Sequence, residues 1–117
     1  MITMILNHQP YDGSDVSWNA LRLAKTLHRS GEQVNIFLMN DAVDLARDIT
    51  TKPESYDHDL VSMLKKLYDD GVALQACGSC NARCGLYKNE PYFDEQVSST
   101  MQILSGWVIE SDKVLTF

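Results

Sequence analysis

The sequence predicts an α/β fold, a mainly parallel sheet covered by helices on both faces. Three observations predict it: short runs of branched apolar residues too brief for helices, segments of helical periodicity between them, and turn residues at the junctions. Strand and helix in alternation imply βαβ crossovers, since parallel neighbours cannot be joined by a tight hairpin.

Ile2 to Leu6 reads as a buried strand, and Asn7 to Gly13 as a loop, by its Pro10, Asp12 and Gly13. Ser14 or Asp15 can cap the next helix, expected over about 15–29, where Val16, Ala20, Leu23, Ala24 and Leu27 recur before Ser30-Gly31 stops it. Trp18 and Leu21 widen that stripe beyond what one sheet contact needs, so a subunit interface is expected on this helix. Val34, Ile36, Phe37, Leu38 and Met39 form the second strand, ended by Asn40-Asp41, and Asp41 can cap the short helical stretch 42–46. Residues 48–56 show no clean period and include Pro53, as a surface connection does.

After Asp57, the spacing of Leu60, Met63, Leu64 and Leu67 predicts a helix that runs to Asp70-Gly71. Val72 to Ala76 is the third strand and leads directly into Cys77-Gly78-Ser79-Cys80-Asn81-Ala82-Arg83-Cys84-Gly85. Leu86 to Phe93 is irregular, and Glu95 to Ser98 is expected as a very short strand. Ser99 or Thr100 then caps a helix carrying Met101, Leu104, Trp107 and Val108, with Met63 and Met101 in phase with helical cores. Lys113 to Phe117 closes the chain as a strand.

A length of 117 residues suits one domain over 1–117, and 44% hydrophobic with 22% charged residues is the composition of an ordinary globular chain. Ten Lys and Arg against sixteen Asp and Glu leave a net charge of -6 with no basic cluster, so nucleic acid and anionic membrane are poor partners. The start lacks a basic leader and no window approaches 18 apolar residues, so a soluble, cytoplasmic protein is expected. The three cysteines, Cys77, Cys80 and Cys84, crowd into one loop, which is no framework for stapling a secreted fold.

Ligands of parallel α/β sheets sit outside the carboxyl ends of the strands, where residues 7–14, 40–41 and 77–84 should meet. At a strand-to-helix junction, free N–H groups and the helix dipole favour a thiolate, which makes Cys77 the candidate nucleophile. Gly78 permits close backbone approach there, and Arg83 adds positive charge if the turn brings it round. The plainer alternative is that Cys77 is one more small buried hydrophobe.

Cys77-x-x-Cys80 also has the spacing of a redox disulfide, and with Cys84 it matches part of an iron-sulfur pattern. Three thiols fall short of four ligands; His8 alone occupies a strand-end loop that could complete a Cys3His zinc site, while His28 and His58 read as solvated helix residues. Gly13-Ser14 is no nucleotide fingerprint, and the pairs Asp12/Asp15 and Asp57/Asp59 read as turn and helix-start acids. No cofactor and no resident metal is expected.

Ile5-Leu6-Asn7, Pro10 and Gly13 before Asn19-Ala20-Leu21-Arg22-Leu23-Ala24, Val34 to Val43, Gly71 to Cys80 and Ser111 to Phe117 together resemble the DsrE/DsrF-like family, which includes sulfur-relay proteins of the TusD kind. The resemblance implies a three-layer α/β/α sandwich with a mainly parallel five-stranded sheet, assembled as homotrimers, hexamers or hetero-oligomers, and a cytoplasmic role in handling sulfur. It further implies that Cys77, ending the third strand, accepts a persulfide sulfur and passes it to a partner. Cys80 matches a second cysteine found in part of the family; Cys84 stands where a basic residue is more usual.

The function expected on these grounds is that of a sulfur carrier or sulfurtransferase-type relay protein, with a protein sulfur donor and acceptor and a homo-oligomeric state. Cys77 and Cys80 would carry the chemistry, and Asn7, Tyr11, Asn40, Asp41, Gly78 and Cys84 would line the pocket. Cys80 would either resolve the persulfide to a disulfide or shelter it. The alternatives are an oligomeric zinc or iron-sulfur module and a scaffold whose thiols are incidental.

Overall fold

A computed structural model describes residues 1–117. Five strands, β1 (Ile2–Leu6), β2 (Val34–Leu38), β3 (Ala73–Cys77), β4 (Ser98–Ser99) and β5 (Lys113–Thr116), pair in the order β4-β3-β2-β1-β5, and every pair is parallel. Three α-helices, α1 (Val16–Arg29), α2 (Leu60–Asp69) and α3 (Met101–Glu110), join them together with 3₁₀ segments at Asn40–Ala46, Ser79–Asn81 and Glu95–Val97. From β1 to β3 the chain steps along the sheet in one direction, so right-handed crossovers put α1 and α2 on the same face. The passage from β4 to β5 returns across the whole sheet and puts α3 on the other face. The result is a three-layer α/β/α sandwich.

Side-chain alternation along the strands assigns the two faces. Ile2, Met4 and Leu6 pair with Val34, Ile36 and Leu38, and the last two continue to Leu74 and Ala76; all eight are buried on the α1/α2 side. The opposite parity holds Thr3, Asn35, Phe37 and Cys77. There Phe37 meets Trp107 of α3 edge-on at 6.0 Å, and buried Thr3 shares hydrogen bonds with Asn35 (3.4 Å) and Ser111 (2.7 Å). Cys77 thus belongs to the α3 layer by its place in β3.

Several expectations require correction. On α1, Leu21 is fully buried, and half-buried Trp18 stacks on His58 at 4.8 Å with the Arg22 guanidinium 4.3 Å over its ring. His58 therefore lies before α2 as a stacking partner and is not a helix residue. Exposed large apolar side chains cluster on α3 and β5, at Met101 (62% exposed), Ile103, Val108, Ile109 (80%) and Val114, with Ile49 and Leu86 exposed elsewhere. Met101 is thus a surface residue despite its helical phase, and Leu104 is the one residue that α3 buries fully. The short strand after Asp94 is confined to Ser98–Ser99, preceded by the 3₁₀ segment. At the helix starts, Asp59 Oδ1 accepts from Ser62 N at 3.0 Å and Thr100 Oγ1 from Ile103 N at 3.3 Å, whereas Asp15 occupies the cap position of α1 without a side-chain bond.

The long segment between β3 and β4 has little regular structure and is held by a buried ion pair. Arg47 Nη1 lies 2.8 Å from Asp44 Oδ1, with both side chains at 1% exposure or less. The same guanidinium donates to the carbonyls of Asn81 (2.8 Å) and Cys84 (3.4 Å), while Asp44 Oδ2 accepts from Leu86 N at 2.8 Å. One residue pair on the β2 side therefore satisfies three backbone groups of the cysteine loop, the carbonyls of Asn81 and Cys84 and the N–H of Leu86. Gly85, at φ +87°, brings its Cα against the Asp44 carboxylate so closely that a Cβ would collide with it. Phe93 N to Ala46 O (2.7 Å) and Tyr92 Oη to Cys77 O (2.7 Å) complete the fastening.

Removing one member of a buried pair leaves the other charged and stranded. Arg47→Ala is expected to lower the unfolding free energy by about 3–5 kcal/mol, measured by urea denaturation, and to expose residues 81–86 to hydrogen exchange ahead of the rest of the chain.

Candidate functional site

Cys77 is the last residue of β3 and is buried, at 7% exposure. The chain then turns through Gly78 into the 3₁₀ segment Ser79–Asn81 rather than into an α-helix. No helix dipole acts on the sulfur, contrary to the sequence expectation; local donors do the work. Burial by itself would raise the Cys77 thiol. Hydrogen bonds from the Cys80 thiol, the Ser79 hydroxyl and the backbone N–H groups of Cys80 and Ser79 outweigh it and hold the thiol below its ordinary range. The Ser79 Oγ to Cys77 Sγ distance is 3.3 Å. Cys80 moves the other way: burial first, then its role as donor to Cys77, push it up to about 12. Of the two thiols, Cys77 is therefore the one that ionises first, and Cys80 keeps its proton to higher pH.

Glycine at position 78 has a steric cause, since a Cβ there would sit 2.9 Å from the Ser99 carbonyl oxygen. That carbonyl accepts Gly78 N at 2.9 Å, which ends the β3–β4 ladder one residue past the thiol. Tyr92, whose hydroxyl donates to the Cys77 carbonyl, is buried, and burial raises its own ionisation to about 12, so it stays a neutral donor.

The other expected pocket residues divide into two groups. Asn40, in the left-handed region at φ 51°, directs its backbone N–H at the Cys80 sulfur and its side-chain amide at Asn7 Oδ1 (3.0 Å). Asp41 Oδ1 accepts from Gly85 N at 2.9 Å, and Cys84, part-buried, donates its N–H to the Cys80 carbonyl at 2.9 Å. Asn7, Asn40, Asp41, Gly78 and Cys84 therefore lie in one connected network around the thiol pair. Tyr11 turns elsewhere: its hydroxyl accepts from Leu60 N at 2.9 Å and its ring meets Tyr56 at 4.9 Å. Arg83 is exposed and is not among the groups acting on Cys77.

No three His, Cys, Asp or Glu side chains converge in an arrangement able to hold a metal ion, so Cys77, Cys80 and Cys84 with His8 form no zinc site within the chain. All three cysteines are free thiols. No helix is long and apolar enough to cross a membrane. A separate surface cleft of about 430 Å³ lies between the starts of α1 and α2, lined by Asp15, Trp18, Tyr56, Asp57 and His58 among others, and none of the cysteines reaches it.

With this geometry established, similarity to known proteins is informative. The sequence pattern of the DsrE/DsrF-like family matches residues 1–117. This chain belongs to the DsrE/DsrF-like family. The family is associated with sulfur relay. Its relatives include the uncharacterized protein MK0008 of Methanopyrus kandleri, 33% identical over 117 residues that cover 100% of this chain and 93% of the relative. The uncharacterized protein MJ0989 of Methanocaldococcus jannaschii is 34% identical over 115 residues, covering 98% and 97%. The crystal structure of the ychN protein from Escherichia coli superposes with a TM-score of 0.83 at 32% identity, covering 99% of this chain and 97% of that one. The five-stranded parallel sheet is thus shared with a solved DsrE-like structure.

The depressed Cys77 ionisation makes a sign-definite pH prediction. Alkylation of Cys77 by iodoacetamide, followed by peptide mass, is expected to follow a midpoint below that of the same cysteine in the urea-unfolded chain, with Cys80 unreactive until far higher pH. Ser79→Ala removes one donor to the thiolate and should move the Cys77 midpoint upward.

Proposed function

We propose that this DsrE-like protein is a sulfur carrier that holds sulfane sulfur as a persulfide on Cys77. The single observation that carries the reading is the hydrogen-bonded Cys77 sulfur at the carboxyl end of β3, supplied with donors by Ser79 and Cys80 that lower its ionisation. In the loading step the Cys77 thiolate attacks the outer sulfur of a donor persulfide. A bond forms between Cys77 Sγ and that sulfur, the bond to the donor's inner sulfur breaks, and the donor leaves as thiolate. In the unloading step an acceptor thiolate attacks the outer sulfur and Cys77 leaves as thiolate. Neither step needs an external oxidant or reductant, since the sulfane sulfur keeps its oxidation state. A thiol raised to about 12 makes Cys80 a poor attacking group, which favours sheltering over resolution by disulfide. Donor and acceptor are proteins in this reading, and a reducing cytoplasm keeps the free thiols available.

The reading includes a homo-oligomer, trimeric or hexameric, closed over α3 and β5. Its support is the apolar surface of Met101, Ile103, Val108, Ile109 and Val114, carried by a helix that is apolar almost all round and buries only one residue fully.

Incubation with a cysteine desulfurase and cysteine is expected to add one sulfur atom to the intact mass of the wild type and none to Cys77→Ser; an unchanged wild-type mass would refute the carrier reading. In sedimentation velocity the wild type should run as an oligomer and Ile109→Glu as a smaller species, whereas a monomeric wild type would remove the interface.

A further inference from the structure

Within β4, Ser99 has a buried hydroxyl with no hydrogen-bond partner in the protein. Such groups are uncommon and point to strain or to a ligand. Its position is defined by the sheet. Ser99 is the direct neighbour of Cys77 in the parallel β3–β4 ladder, so the two side chains leave the sheet on the same face. Ser98 confirms the parity: its hydroxyl lies 3.1 Å from where a Cβ of Gly78 would stand, which places Ser98 on the Gly78 side and Ser99 on the Cys77 side.

Resting on the carrier reading, we propose that Ser99 Oγ is the hydrogen-bond donor for the outer sulfur of the Cys77 persulfide. No hydrogen bond joins the Ser99 hydroxyl to Cys77 Sγ itself. A sulfur–sulfur bond extends the Cys77 side chain by about 2.05 Å, on the sheet face that it shares with its ladder neighbour Ser99. Loading therefore gives the unpartnered hydroxyl its acceptor, and the anionic outer sulfur gains a buried donor where the neighbouring Ser79 hydroxyl already serves the inner one. Release proceeds when an incoming thiolate bonds the outer sulfur and the bond to Cys77 Sγ breaks, with the electron pair returning to Cys77. Ser99 slows that loss to stray thiols and keeps the sulfur positioned for a docked acceptor.

The test loads wild type, Ser99→Ala and Ser99→Thr with a cysteine desulfurase and cysteine, removes the donor, and follows loss of the added sulfur to glutathione by intact mass. Ser99→Ala should gain its sulfur yet shed it about tenfold faster, the effect of one charge-assisted hydrogen bond. Ser99→Thr, which keeps the hydroxyl, should retain the wild-type lifetime. Melting of the unloaded proteins supplies a second readout, because deleting an unsatisfied hydroxyl leaves stability unchanged or raises it. Equal sulfur lifetimes in wild type and Ser99→Ala overturn the assignment, as does a clearly lower melting temperature for unloaded Ser99→Ala, which would mean that the hydroxyl already has a structural partner. A wild type that never gains sulfur fails at the earlier step and refutes the carrier reading itself, a distinct result from a loaded protein with an indifferent Ser99.

Discussion

The buried contact between Asp44 and Arg47 is the constraint on which the thiol site depends. Between Cys77 and Ser98 the chain contributes no long helix and no hairpin, so its backbone groups lack the automatic partners that regular structure supplies. The ion pair substitutes for them. Two loop carbonyls bond the guanidinium and one loop N–H bonds the carboxylate, and these bonds help offset the desolvation of both charges. Without that anchoring, the carbonyls of Asn81 and Cys84 and the N–H of Leu86 would lose their partners, in the loop that places Cys80 beside Cys77.

The site that results shifts two chemically identical groups in opposite directions. Cys77 and Cys80 are both buried, yet one is surrounded by donors and the other acts as a donor itself. Geometry alone makes the difference, since the turn after β3 aims the N–H groups of residues 79 and 80 back at residue 77. The shift comes from neighbouring hydrogen bonds rather than from the field of a helix. It is therefore local, and it depends on Ser79, Cys80 and the glycine that lets β4 approach.

Much of the architecture was legible in the sequence because the periodicities were clean. Branched runs at 2–6 and 34–38 became central strands, the spacing around Leu60 and Leu64 became α2, and the cysteines fell at the end of β3. Three features were not legible, each for a physical reason. Asp44 and Arg47 stand three residues apart in Ala42-Val43-Asp44-Leu45-Ala46-Arg47, and i,i+3 opposite charges normally mark a solvated helix face; the signal available was their isolation among apolar neighbours. Helical phase at Met101 reported an apolar face without saying whether this chain or another surface covers it. The importance of Ser99 rests on strand register, which a two-residue strand does not reveal in sequence.

The brevity of β4 has a structural consequence. Ser99 pairs with Cys77, Thr100 caps α3, and Met101 already belongs to the exposed helix, so a single residue separates the ladder partner of Cys77 from the first turn of α3. No loop intervenes between the backbone that pairs with Cys77 and the exposed helix.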